Sequence, residues 1–152
     1  SGLARQFIAG ILKYARETSV IMASTYNSYK AYVIEREAPI VRGWGYANRS
    51  SMVRIPYCDN PYATRMELRN PDATGNVYLQ LAVLIGMGLR GIRKKLDCGQ
   101  PDARSTYNRS YRTRVLNRQF LPKSLFEALM EAEKSKFLRE VLGNRLFENH
   151  LT

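Results

Sequence analysis

Histidine is nearly missing from this sequence: His150, two positions from the end, is the only one. Zinc chemistry built on imidazoles is therefore improbable. The two cysteines, Cys58 and Cys98, stand 40 positions apart with no metal-type spacing around them. Unpaired thiols of this kind fit a reducing, cytoplasmic setting. Long apolar runs are also lacking. The longest, Val77 to Leu89, is interrupted by Gln80, Gly86 and Gly88 and meets Arg90, so it reads as a buried helix and not a membrane span. No basic–apolar–small leader pattern opens the chain, and its first residue, Ser1, fits a processed or trimmed polypeptide. No internal repeat of solenoid length occurs.

Acidic residues are scarce too: 13 against 24 Lys and Arg, a net charge of +11. The imbalance is local. Residues 90–118 hold nine basic side chains and two acidic ones, +7 of the total. Such a block is usually a solvated segment and less often a nucleic-acid surface. Tyr107 and Tyr111, set among Arg104, Arg109, Arg112, Arg114 and Arg118, give the second reading its form, since bases stack on tyrosines while arginines hold phosphates.

What is present suits one packed domain: 152 residues, 45% hydrophobic and 24% charged. Residues 3–16 carry a helical stripe of Leu3, Phe7, Ile8, Ile11, Leu12 and Ala15. Three strands are predicted at 40–46, 51–55 and 65–69, the first with Ile40, Arg42, Trp44 and Tyr46 on one face. A long helix follows over about 76–96, apolar nearly all round in its first half, which suits the interior of something larger than a small domain. Residues 97–122 read as a long loop. Ser124 with Glu127 forms a capping-box signal for the next helix, and a last helix over about 137–142 ends at Gly143.

The chemistry-bearing stretch is Arg65-Met66-Glu67-Leu68-Arg69. On a strand, Arg65, Glu67 and Arg69 share one face at intervals of about 6–7 Å. A carboxylate between guanidinium groups suits a hard divalent cation and phosphate oxygens held side by side. It equally suits an ion-pair ladder on a wet sheet face. Asn48-Arg49-Ser50 with Arg54 reads as an anion-binding turn or as a turn with surface charges. Glu37, beside Ala38-Pro39 in an irregular stretch, could act on a substrate amine or simply be exposed.

Taken in order, NSYK (27–30), EAP (37–39), NRSSMVRIP (48–56), RMELRNPD (65–72) and N-x-YL (76–79) resemble the signature set of the glutamine synthetase family. The resemblance begins at LARQFIAGILKYA (3–15) and runs through SLFEALMEAEKSKFLREVLG (124–143). It implies an α+β fold: part of a catalytic domain, with a few antiparallel strands of a curved sheet backed by helices. Residues 1–152 would form a single partial domain, with 1–96 bearing the site, 97–122 a basic loop and 123–152 the C-terminal helices.

The family makes glutamine, or a γ-glutamyl amide, from glutamate and ammonia or an amine through γ-glutamyl phosphate. ATP is the co-substrate and Mg2+ (or Mn2+) the metal. By position, Glu37 would guard the intermediate and deprotonate ammonium, Arg49 and Arg54 would face phosphates, and Arg65 would contact nucleotide. Glu67 would bind the metal, and Arg69 would bind substrate and stabilise phosphoryl transfer. Family sites lie between subunits, which implies further copies of the chain as partners. The family's β-grasp domain and the first half of its catalytic domain, with most metal carboxylates, have no counterpart here, so these 152 residues alone are expected to be inactive.

Two departures stand out. Ala31 replaces the arginine that clamps the substrate carboxylate, and Val33-Ile34-Glu35-Arg36 replaces the usual flap. They keep open a non-catalytic scaffold or a basic nucleic-acid-binding module as the alternative.

Overall fold

The computed structural model describes residues 1–32, 39–103 and 119–151. Glu37, the altered flap and the arginines at 104–118 lie outside the described residues.

The elements run α1 (Gly2–Tyr14), α2 (Ser19–Met22), a 3-10 turn (Tyr26–Lys30), β1 (Val41–Tyr46), β2 (Ser51–Ile55), a second 3-10 turn (Pro61–Ala63), β3 (Glu67–Leu68), α3 (Val77–Arg93), α4 (Leu125–Glu133) and α5 (Lys136–Leu151). The expected α+β composition is what the chain adopts. No helix among the described residues is long and apolar enough to cross a membrane.

Helix α1 starts where the Ser1 hydroxyl accepts the Ala4 N–H, and it buries Ile8, Ala9, Gly10, Ile11 and Tyr14. Arg42 donates to the carbonyls of Leu12 (3.1 Å) and Lys13 (3.3 Å), closing the helix's C-terminal end with a cation. Helix α3 lies directly on α1. A Cβ built on Gly10 would stand 2.0 Å from the Met87 carbonyl oxygen, and one on Gly91 would stand 2.1 Å from that of Gln6. The glycines thus let two helix backbones touch, and Phe7 fills the space over Gly88.

The buried half of α3 is Val83, Met87, Gly88 and Gly91, while Val77, Tyr78, Leu81, Ile85 and Leu89 stand open. The helix expected to suit the interior of something larger than a small domain is thus covered on one side only among the described residues. Asn76 caps it, its side-chain oxygen accepting from Tyr78 (3.0 Å) and Leu79 (3.3 Å).

The sheet order is β1-β2-β3. The β2–β3 pair is antiparallel, as expected, but β1 and β2 run parallel, which corrects the all-antiparallel expectation. The connection between them, 47–50, has four residues. It opens with Ala47 at φ 50°, a left-handed turn worth roughly 1–2 kcal/mol of strain, and the Ala47 N–H donates to the Ile55 carbonyl at 2.8 Å. A register shift between Val41 and Trp44 breaks the alternation predicted for 40–46: Trp44 is buried and Tyr46 is exposed.

Strand β3 is shorter than the predicted 65–69. Arg65 and Met66 would continue the register onto Ile55 and Pro56, and Pro56 has no N–H to offer. On the other side, Arg69 still donates to the Met52 carbonyl (2.9 Å) before Pro71 ends the ladder.

The core gathers Trp44, Phe120, Phe147, Ile8, Ile11 and Met52 among its largest buried side chains. Among the described residues one charged group enters it. Arg16 donates to the Phe120 carbonyl and to the carboxylates of Glu127 (2.6 Å) and Glu131 (2.9 Å), tying α1 to α4. Glu127 also accepts from the Lys123 N–H at 3.0 Å, so the reciprocal bond predicted for the Ser124 cap is shifted by one residue. The Ser124 hydroxyl accepts from Glu127 as predicted, at 3.2 Å. The last helix does not stop at Gly143. That residue kinks α5 (φ 75°, ψ 158°), and the helix resumes to Leu151, burying Phe147.

Candidate active site

Antiparallel pairing sets Glu67 directly across from Arg54. The Arg54 Nη1 donates to Glu67 Oε2 at 3.0 Å, and the Arg69 Nε donates to Glu67 Oε1 at 3.0 Å. One carboxylate is thus held between two guanidinium groups, leaving a local charge of +1. Side-chain exposure falls from 42% at Glu67 to 23% at Arg54 and 15% at Arg69. The arginines are half-buried and the carboxylate is the most exposed of the three. Arg54 also carries a buried Nε with no hydrogen-bond partner among the described residues. Such an arrangement can accept an oxyanion on the guanidinium edges, while each Glu67 oxygen keeps a lone pair for a further donor or a hard cation.

A divalent cation asks for six or more oxygen ligands, of which this trio offers one residue. Among the described residues no group of three or more His, Cys, Asp or Glu side chains could hold a metal ion.

Two other stretches of the motif series close around this sheet. The NSYK segment forms the first 3-10 turn, capped by Thr25. Tyr32 beyond it donates its hydroxyl to the Asn70 carbonyl at 2.8 Å, one residue after Arg69. The Ser28 hydroxyl and the Thr74 N–H hold the Asp72 carboxyl below its ordinary range. NSYK and RNPD are thereby locked together. Ala31 ends the turn and is exposed beside this junction.

The Asn48 turn is structural at its base. Its side-chain oxygen accepts from the Ser50 N–H (3.0 Å) and hydroxyl (2.8 Å), and its amide donates to the Asp102 carbonyl at 3.1 Å. Arg49 stands exposed on this turn. Arg65 is exposed before β3 and does not join the Glu67 trio as a third strand position.

Sequence reasoning missed Asp102. Its N–H donates to the Trp44 carbonyl (2.7 Å), and its carboxylate accepts from the Ser51 hydroxyl (3.3 Å), so the 97–103 segment straps β1. The available signal was the pair Gly43 and Gly45. A Cβ on Gly43 would lie 1.9 Å from the Asp102 carboxylate, and one on Gly45 would lie 2.9 Å from its carbonyl.

The family model that matches this chain is that of the glutamine synthetase catalytic domain, over residues 1–152. Glutamine synthetases from Thermotoga maritima and Pyrococcus furiosus are 39% and 41% identical to it, each over 95% of this chain and 33% of their own length. The Methanosarcina mazei enzyme is 39% identical over 97% of this chain. Among solved structures, a GmaS–ADP complex matches with TM-score 0.81 and 29% identity, covering 99% of this chain and 34% of that one. A ligand-free GmaS gives 0.78 and 31%, covering 98% and 33%. The chain spans about a third of the length of the relatives it matches.

Proposed function

Starting from the fact that this chain belongs to the glutamine synthetase family through its catalytic domain, we propose that it is the site-bearing C-terminal part of an ATP-dependent carboxylate–amine ligase. The reaction makes glutamine or a γ-glutamyl amide from glutamate, ATP and ammonia or an amine. Its observation is the Glu67 carboxylate seated between Arg54 and Arg69 at 3.0 Å on adjacent strands, at the family's motif positions.

Two steps need charge neutralised. The substrate carboxylate attacks the terminal phosphorus of ATP, and the bond to ADP breaks. The amine then attacks the acyl carbon, and as the carbonyl re-forms phosphate leaves with the electron pair of the acyl carbon–oxygen single bond that joined it. In both, negative charge grows on phosphoryl or acyl oxygens, and fixed guanidinium donors in a half-buried wall offset it better than water does. Arg69 and Arg54 fill that role, Arg69 nearest the acid substrate. Arg49, exposed on its turn, and Arg65 reach the nucleotide's phosphates. Glu37 guards the intermediate and takes the ammonium proton. Glu67 is one ligand of a Mg2+ or Mn2+ ion whose other donors come from the rest of a longer polypeptide. The working form is a cytoplasmic homo-oligomer, and these 152 residues alone are inactive.

The test is phosphate release from ATP by the whole protein, made to depend on both glutamate and an amine. Arg69→Ala should lower kcat at least about 10²-fold, the typical loss when one donor to a developing oxyanion is removed. Turnover of the variant at the parent rate would sink the proposal.

A further inference from the structure

We propose that Tyr32 is a positioning residue for the Arg54–Glu67–Arg69 trio, its buried hydroxyl fixing the chain immediately beyond Arg69. The inference rests on the ligase reading of that trio and adds to it a side chain outside the trio itself.

Arg69 needs an anchor that the sheet supplies only in part. Strand β3 is two residues long, Glu67–Leu68, and among the described residues it has one neighbour, β2. Arg69 follows the strand, and its N–H donates to the Met52 carbonyl at 2.9 Å. Beyond that bond the ladder stops, because Pro71 has no N–H to give.

Tyr32 supplies the next point of attachment. Its hydroxyl donates to the Asn70 carbonyl at 2.8 Å, and both residues are 4% exposed. The Asn70 side-chain oxygen is buried with no hydrogen-bond partner among the described residues, so it adds no anchor of its own. Two residues further on, the Asp72 N–H donates to the Met22 carbonyl at 2.7 Å. Residues 69–72 are thus pinned in turn by Met52, Tyr32 and Met22, and of these three bonds the Tyr32 bond is the one made by a side chain. The Tyr32 ring is itself set edge-on against Tyr29, with centroids 5.5 Å apart. Burial pushes the Tyr32 hydroxyl above its ordinary range, so it remains a donor at neutral and mildly alkaline pH.

Without the hydroxyl, the Asn70 carbonyl is left buried and unsatisfied, and the backbone shifts to find another donor, carrying Arg69 with it. A displacement of about 1 Å at a group that must meet the reacting atoms costs up to about 10²-fold in rate. Arg69 acts on charge that grows in the transition state, so the loss falls on kcat and leaves KM nearly unchanged.

The experiment is Tyr32→Phe in the whole protein, with phosphate release from ATP measured against glutamate and amine concentration. The change removes one oxygen and keeps the ring, and far-UV circular dichroism with a thermal melt checks the fold. Thr18→Val is the reference, because it deletes another buried hydroxyl, one bonded to the Tyr14 carbonyl at 2.9 Å. For Tyr32→Phe, kcat should fall at least about tenfold with each KM within about threefold, while Thr18→Val keeps kcat within about twofold of the parent. Placing 4-aminophenylalanine at position 32 returns an N–H donor and should recover most of the lost rate. Tyr32→Phe turning over at the parent rate would overturn the inference alone. An equal fall in Thr18→Val, or no recovery with the restored donor, would overturn it too, by making the effect one of general stability. A parent protein with no turnover dependent on glutamate and an amine would remove the ligase reading, and this inference with it.

Discussion

Gly10→Ala sets two magnitudes against each other. Judged by helix propensity alone, alanine in the middle of α1 should stabilise the protein by about 1 kcal/mol. The packing says the reverse. The new methyl would lie 2.0 Å from the Met87 carbonyl oxygen and 2.9 Å from both the Cα and the N of Gly91. All three are backbone atoms of α3, so no side chain can swing aside. The helices must part by more than about 1 Å to restore van der Waals separation, and the close contact around Gly88 and Gly91 loosens along its length.

Overpacking of this kind costs about 1–3 kcal/mol or more, and against a backbone wall the upper end applies. Subtracting the propensity gain leaves a net loss of about 2 kcal/mol, which for a chain of this size lowers Tm by about 4–8 °C. Thermal unfolding followed by far-UV circular dichroism measures it. Gly2→Ala, where nothing lies within 4 Å of the added methyl, is the control and should not lower Tm. A Gly10→Ala protein that melts at or above the parent temperature would refute the argument, because it would mean that α1 and α3 do not touch at this point.

Three further outcomes follow from the same geometry. Burial pushes the Glu17 carboxyl up in the folded protein, against the Ser135 hydrogen bond that opposes the rise. A raised folded pKa means that ionised Glu17 costs stability above it, so Glu17→Gln should raise Tm at pH 7 and change it little near pH 4. Glu127 has the opposite sign: burial works against its ionisation, but the Lys123 N–H and the Arg16 guanidinium overcome this and hold its carboxyl below the usual range. Its contribution is present above the ordinary glutamate range and is lost as pH falls through the lowered value. Arg16→Met should therefore lower Tm at pH 7 and flatten the acid limb of a Tm–pH curve, where an unchanged limb would count against the pairing. Gly43→Ala drives a methyl against the Asp102 carboxylate at 1.9 Å and should loosen the 97–103 strap, seen as faster amide exchange at Asp102 with a stability loss of about 1 kcal/mol or more, and unaltered exchange would show the strap to be absent.

Much of this fold was open to a reader of the sequence because its causes are local. The stripe of Ile8 and Ile11, the Ser124 cap and the run Ser51–Ile55 each owe their state to neighbours within a few residues. The Arg–Glu–Arg alternation likewise foretold a carboxylate between guanidinium groups. It misjudged which arginines: Arg54 from the neighbouring strand takes the place that alternation gave to Arg65. That exchange depends on the register of β2 against β3, cut short by Pro56, and no period within 65–69 contains it.

The tertiary structure alone decided that β1 and β2 run parallel across a four-residue connection, that Asp102 crosses back over Gly43, that Arg16 enters the core to meet Glu127 and Glu131, and which side of α3 the described residues leave uncovered. Each of these pairs groups far apart along the chain or in adjacent layers. Their free energy comes from desolvation and close contact at a distance, whereas periodicity and capping record only what a residue's immediate neighbours impose.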